Sequence, residues 1–491
     1  MIALVALGGT RLLHGSLVSR ATDTDVYGVV GSLIAITTIA SLLLPAGVAS
    51  AASRFIPYQH GKGDEAAARA VHRFLDRLGL SGALALGLGA AAGATWAFSL
   101  DTGRAAEVFA LAVAFAVYSM DKATLYGFGR ITPYVRLELG SSALILLATV
   151  AVLVLHTGTY LLPLALGYAA FAVGARLVLR RDLRGGAGQH ASGDVGRREV
   201  VRFVVLACIG TLASQGFLQG TQLLATVFAE PGQVAYFAAA VTLVAPMYFL
   251  PRALGLALFP AMSRAHGAGD VAAVRRQADL STRALLVVLA PLFVAGILLA
   301  REALTIFGSA RYAPGAPVLQ LILAATFFAV VAVAAVNSLS SGEHVHVPVL
   351  AAVCGCLIGL GTVALLGGPL GAIGVGLGYL VGTAVTAGGP VGTAWRLHRM
   401  PWRGPLLWSV GSVLGALGVA AAVHRGGVTG GQRIALDVTV AVVAAGLAAL
   451  LLRRHLASVL TLARQREPAP PGEGERKTVT LVDSPTEGNG G

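Results

Sequence analysis

The stretch His60–Arg73, HGKGDEAAARAVHR, closes a long apolar run, and the chain says nearly the same thing again from His266, HGAGDVAAVRRQAD. At an offset of 206 residues His60 matches His266, Gly61 and Gly63 match Gly267 and Gly269, and Asp64 matches Asp270. Ala66 and Ala67 match Ala272 and Ala273, and Arg69 and Arg77 match Arg275 and Arg283. The same offset pairs Leu44-Pro45 with Leu250-Pro251 inside the preceding apolar runs. Each copy has the chemistry of a turn and then a helix: the glycines relieve the backbone, Asp64 or Asp270 accepts from free amides of the first turn, and the alanines propagate it. Val71, Phe74, Leu75 and Leu78 share one helical face, while Arg69, Arg73 and Arg77 mark another. The pattern predicts a segment along the inner leaflet, arginines toward headgroups, that bends into the next span.

A chain that is 56% hydrophobic and 12% charged, with mean hydropathy +0.77, cannot hide its apolar side chains in a soluble core. About fourteen apolar runs recur, each roughly long enough to cross a hydrocarbon layer of about 30 Å as a helix. They fall near 1–18, 27–50, 79–100, 105–127, 134–156, 159–179, 201–225, 234–259, 282–300, 315–338, 347–367, 370–394, 405–424 and 433–452. The runs are continuous rather than alternating, which excludes an outer-membrane barrel. The expected fold is an all-α polytopic membrane protein.

The repeat offset spans six runs, an even number, so both copies face the same side and the two halves run parallel. Residues 1–200 and 201–400 are expected to form two six-helix lobes, 401–464 to hold helices 13 and 14, and 465–491 to be a disordered tail. Nothing in that tail names a partner. The net charge of +13 reflects topology rather than nucleic-acid binding, because loops after even-numbered runs, with the tail, hold 26 of the 36 Lys and Arg. By the positive-inside rule both termini and those loops are cytoplasmic. Cys208, Cys354 and Cys356 all lie in apolar runs without bridging or metal-ligand spacing, so no disulfide, metal or cofactor is expected. The glycine-rich GAIGVGLG at 371–378 follows no strand, and small-residue helix packing explains it.

Several stretches carry a family resemblance. Asp25-Val-Tyr-Gly, GVASAASRFIP at 47–57, and YFAAAVTLVAPMYFLPRALGLALFPAMSRAHGAGD at 236–270 resemble bacterial polysaccharide-biosynthesis flippases of the multidrug/oligosaccharidyl-lipid/polysaccharide exporter superfamily. IFGSARYAPGAPVLQLI at 306–322 and GPLGAIGVGLGYLVGTA at 368–384 resemble two later stretches of the same family. The resemblance covers most of 1–400. It implies two lobes facing a central cavity, and alternating access that carries a lipid-linked glycan from the inner to the outer leaflet of the bacterial cytoplasmic membrane. It also implies membrane lipids and a coupling ion, H⁺ or Na⁺, as partners, and helices 13 and 14 as an addition seen in the lipid II flippase branch. That branch's N-terminal Ser-Arg and Gly-Phe-x-Arg-Asp pattern is not found here.

An ionisable residue at bilayer depth costs at least about 2.5 kcal/mol, so each is a pathway candidate. Arg11 and His14 fall in the first run, Asp121 and Lys122 in the fourth, and Arg252 beside Pro251 in the eighth. Arg252 leads, because carbonyls freed by a proline suit a water-lined cavity and a guanidinium fork suits a pyrophosphate. The flippase resemblance pairs Arg11 with it. Arg136 and Glu138 lie near the start of the fifth run, and Arg176 is expected to snorkel to the interface. Arg54, Arg69, Arg77, Arg275 and Arg283 are gate candidates at the cytoplasmic mouth, and Pro45 and Pro251 are candidate hinges. His14, His344 and His346 could couple to protons. Two other classes also use an all-α polytopic membrane fold. A membrane polymerase needs a sizeable outer loop, and the longest here runs only over 301–314; a multidrug/cation antiporter wants buried carboxylates, and Asp121 is the clearest.

Overall fold

The computed structural model describes residues 2–61, 64–184, 197–248, 258, 262, 270–340, 344, 346–425, 435–447 and 450. Among these the regular structure is entirely helical, and ten helices are long and apolar enough to cross a membrane. The ten coincide with ten of the fourteen expected runs. The remaining four correspond to the first helix, a helix interrupted by a π turn, and two runs that pass into residues outside the described set.

The first half holds α1 (Ile2–Ala21), α2 (Thr24–Leu42), α3 (Leu44–Gly61), α4 (Glu65–Phe98), α5 (Thr102–Gly127), α6 (Ile131–Val154) and α7 (Leu162–Arg184). After α8 (Arg197–Thr211) and a π turn at Leu212–Gly216 come α9 (Phe217–Phe228), α10 (Pro231–Val244), α11 (Val271–Leu298) and α12 (Ala300–Gly308). Then follow α13 (Ala316–Val331), α14 (Val333–Ser340), α15 (His346–Leu370), α16 (Ala372–His398) and α17 (Arg403–Arg425). A shorter apolar helix, α18 (Ala435–Leu447), comes last.

The two copies of the repeat fold alike at their caps. The Asp64 carboxylate accepts from the Ala67 amide at 2.8 Å, and Asp270 accepts from Ala273 at 2.8 Å. Val71 and Leu75 are buried while Arg73 and Arg77 are exposed. No loop separates the basic segment from the span that follows: α4 is one continuous helix of 34 residues, and α11 one of 28. Nothing between Glu65 and Phe98 interrupts α4, since it contains no proline, and Gly79 packs on Met120. At 1.5 Å per residue α4 reaches about 50 Å, so its basic first turns project beyond a hydrocarbon layer of about 30 Å. The GVASAASRFIP stretch, which runs past the expected end of the second apolar run at 50, continues as α3. The break falls earlier, at Leu43, where ψ is −120°. Pro45 then occupies the first turn of α3, where its missing N–H has no partner to lose.

Helices α2 and α4 to α7 enclose one core around Leu111, Tyr118, Tyr134 and Phe171, and α3 to α5 with α7 and α8 enclose another around Ile56, Leu75 and Met120. Helices α9 to α13 with α15 and α16 enclose a third around Phe237, Phe293 and Phe327, which Val18 of α1, Tyr27 of α2, Val413 of α17 and Ala441 of α18 join. The halves meet where α2 packs on α10 and α3 packs on α8. Glycine allows the first contact: a Cβ on Gly31 would sit 2.4 Å from the Ala238 Cβ. The helix pair α15 and α16 uses the same device, for a Cβ on Gly378 would lie 2.9 Å from the Gly359 carbonyl.

Candidate functional site

Inside the first half, α1, α5, α6 and α7 bring a polar cluster together. The Arg11 Nε donates to the Tyr168 hydroxyl at 2.7 Å, and its guanidinium lies 4.7 Å from the Phe115 ring centroid. The Tyr118 hydroxyl contacts both Glu138 oxygens, at 2.9 and 3.0 Å, and Lys122 Nζ donates to that hydroxyl at 3.2 Å. Lys122 also sits 5.3 Å over the Tyr134 ring. Tyr118 and Tyr168 pack with centroids 4.8 Å apart, so their rings join the two cations to one carboxylate. Glu138 is 1% exposed. A buried charge persists only when paired and hydrogen-bonded, and cation–π contacts supply part of the pairing.

His14, one turn from Arg11, is buried. Its Nδ1 is 2.8 Å from the Thr149 hydroxyl, which itself donates to the Ile145 carbonyl at 2.7 Å. Thr149 therefore accepts from an Nδ1–H, which leaves the Nε2 lone pair buried with no hydrogen-bond partner among the described residues.

On another face of α5, Asp121 joins a separate group. Adjacent residues on a helix point about 100° apart, and Asp121 and Lys122 accordingly find different partners. Arg176 Nε donates to Asp121 at 3.1 Å and its terminal nitrogen to Asp76 at 2.8 Å, tying α7 to α5 and α4. The expected snorkelling of Arg176 is thus corrected: two carboxylates on neighbouring helices hold it within the bundle.

The gate candidates separate. Arg54 lies 4.7 Å over the Phe203 ring, a contact between α3 and α8. Arg69 has a buried nitrogen without a hydrogen-bond partner among the described residues, and Arg77 is exposed. Arg275 donates to the Arg399 carbonyl at 3.4 Å, and Arg283 pairs with Asp279 at 2.9 Å. Arg252 and Pro251 lie outside the described residues, as do Ser341 to Glu343.

The opposite end of the molecule carries a junction that sequence reasoning missed. Arg20, at the end of α1, donates to the Phe307 carbonyl at 3.2 Å and to that of Ile306, at the end of α12. Arg311 returns the contact, donating to the Arg20 carbonyl at 3.0 Å and to Ser19 at 3.3 Å, and pairs with Asp23 at 3.5 Å. Each arginine thus caps the other segment's helix C-terminus, where the dipole concentrates negative charge. Ser16 adds a 2.6 Å bond to the Phe307 carbonyl, and Tyr27 packs edge-on against Phe307 and Tyr312 beneath. The available signal was that Arg20 and Arg311 are two of only six basic residues, with Arg104, Arg301, Arg425 and Arg433, in the loops after odd-numbered runs.

Residues 15–266, half of the chain, match the family described as polysaccharide biosynthesis protein, and residues 204–388 match the MatE family. No curated protein matches the chain by sequence. Among solved structures, the lipid II flippase MurJ in an inward closed conformation is 12% identical over 93% of this chain and 99% of that one, with a TM-score of 0.59. An inward-facing multidrug resistance MATE family transporter of the MOP superfamily is 14% identical over 87% and 96%, with a TM-score of 0.61. A MOP superfamily transporter from Pyrococcus furiosus, whose binding pocket is described as of reverse polarity, is 18% identical over 81% and 94%, with a TM-score of 0.54. These likenesses concern the fold, whereas the sequence match extends over half the chain: it belongs to the polysaccharide biosynthesis protein family.

Proposed function

We propose that the chain is a flippase that moves a polyprenyl-pyrophosphate-linked oligosaccharide or cell-wall precursor from the inner to the outer leaflet of the bacterial cytoplasmic membrane by alternating access. The family match over residues 15–266 carries this reading, supported by the fold shared with MurJ. Both termini are cytoplasmic. The reciprocal arginine contacts between α1 and the α12 region then close the outer end, and Arg54, Arg69, Arg77, Arg275 and Arg283 act at the inner mouth. Pro45 and Pro251 are the hinges, next to the break at Leu43 in the first copy. Arg252 contacts the pyrophosphate from the cavity. Arg11 acts through Tyr168, and Lys122 through Tyr118 and Glu138, to set the field of the first half. Asp121, held by Arg176, braces that half beside them. The coupling ion is a proton or sodium, with Glu138 and the free Nε2 of His14 the groups that would accept a proton.

The test is transport of a fluorescent polyprenyl-pyrophosphate oligosaccharide by purified protein in vesicles. Arg252→Ala removes a charge-assisted contact of about 1.5 to 3 kcal/mol, so cargo affinity falls roughly ten- to hundredfold, and Arg252→Lys restores part of it. Wild-type transport by Arg252→Ala, normalised to folded protein, removes Arg252 from the mechanism. Multidrug/cation antiport is the second reading, favoured by the buried carboxylates Asp121 and Glu138, although cationic partners already face both. In the same vesicles, cation efflux without glycan movement selects it.

A further inference from the structure

At the connection between α16 and α17, a cavity of about 350 Å³ is lined by Trp395, Arg396, Arg399 and Arg403. Among the described residues three guanidinium groups and no carboxylate border it. None of the three arginines has an ion-pair partner among the described residues. Arg403 lies 5.3 Å from the Trp395 ring centroid, which fixes one cation against one wall.

The backbone beneath these side chains is held firmly. Arg399 takes a left-handed conformation, φ +47°, as the cap of α16, with its N–H on the carbonyls of Trp395 and Arg396. The Met400 amide donates to the Trp395 carbonyl at 3.1 Å. Met400 and Trp402 are buried in an apolar core with Ala278, Leu339 and Ala394. The Trp402 Nε1 donates to Asp279 at 2.8 Å, the carboxylate that also pairs with Arg283, and Arg275 donates to the Arg399 carbonyl. Arg275 and Arg283, the second copy's members of the repeat, therefore pin the connection from which the three arginines project. Groups presented from a locked backbone lose little freedom on binding.

We infer that this pocket binds the headgroup of an anionic membrane phospholipid, with two phosphodiesters matching three uncompensated cations. Guanidinium forks suit phosphate oxygens, and the first turn of α17 adds amides at the positive end of its dipole. The neighbouring surface favours a lipid over free phosphate: Leu397, Leu407 and Trp408 are 48%, 73% and 51% exposed, an apolar wall along which acyl chains can run while the headgroup enters. Basic pockets between helix ends at the membrane surface are where such headgroups are held. Bound there, the lipid joins α16 to α17 and so couples the last two helices to the second half. A uniformly charged surface that merely sets topology would attract such lipids without selecting this pocket.

The experiment is native mass spectrometry of the full-length protein in detergent, titrated with cardiolipin, phosphatidylcholine or inorganic phosphate. Cardiolipin is expected to be retained and phosphatidylcholine lost. Arg396→Ala with Arg403→Ala should weaken cardiolipin binding at least about tenfold, while Arg198→Ala with Arg202→Ala, an exposed pair on α8 with the same charge change, should weaken it less than about threefold. Equal losses in the two pairs overturn the site in favour of diffuse attraction. Displacement of cardiolipin by an equal concentration of inorganic phosphate overturns the lipid assignment. If the alanine pair does not fold, Arg396→Lys with Arg403→Lys carries the test: weaker binding at unchanged charge supports forked contacts, and unchanged binding refutes them.

Discussion

Arg176 shows how far one residue's surroundings can depart from its place in the sequence. Near the end of an apolar run it has the reach to meet the interface, yet it bridges Asp121, which is 2% exposed, and Asp76. Removing the guanidinium leaves a carboxylate buried without its partner, a far larger penalty than the loss of the pair itself. Arg176→Ala should therefore destabilise the protein by about 3 kcal/mol, whereas Asp121→Asn, which leaves no orphan charge, should cost roughly 1 kcal/mol or less. Denaturation in detergent checks the order, and equal losses would show that Asp121 is already neutral in the folded protein. The Arg11, Lys122 and Glu138 cluster obeys the same rule, with Tyr118 and Tyr168 supplying the hydroxyls that make burial tolerable.

At the scale of elements, the reciprocal contacts of Arg20 and Arg311 stand out because they join the two halves through backbone carbonyls at helix ends. A cation at a helix C-terminus contributes up to about 1 kcal/mol at an exposed site, so losing both shifts an open/closed equilibrium roughly tenfold or more. Arg20→Ala with Arg311→Ala should expose the space beneath. The readout is a cysteine at Thr242, which lies 3.5 Å from the Tyr27 hydroxyl under the junction, in a background lacking Cys208, Cys354 and Cys356. Its labelling by a membrane-impermeant maleimide should rise several-fold; an unchanged rate would make the junction a static clamp. The same scale explains the continuity of α4. Capping and hydropathy predicted where its helix starts and which face is buried, but whether it bends on meeting the bilayer depends on α3 and α5, which pack along it.

For the whole molecule, the arrangement of charge along the chain predicts the orientation, and one labelling experiment tests it. A cysteine at Ser192, within the arginine-rich stretch between residues 180 and 202, should resist an impermeant maleimide in intact cells and react after permeabilisation. Efficient labelling from outside would invert the protein, and with it the assignment of inner mouth and outer closure. The sequence by itself determined that this is an all-α, polytopic membrane protein with an internal repeat and two aspartate caps. Those properties follow from hydropathy along a run and from amides three residues away, both local. Only the tertiary structure decided the partners: Arg11 meets Tyr168 across 157 positions, Arg176 meets Asp76 across 100, and Arg20 meets Phe307 across 287. A helix's sequence fixes which residues share a face but not which neighbour that face meets, so the pairing of buried charges is settled only when the helices pack.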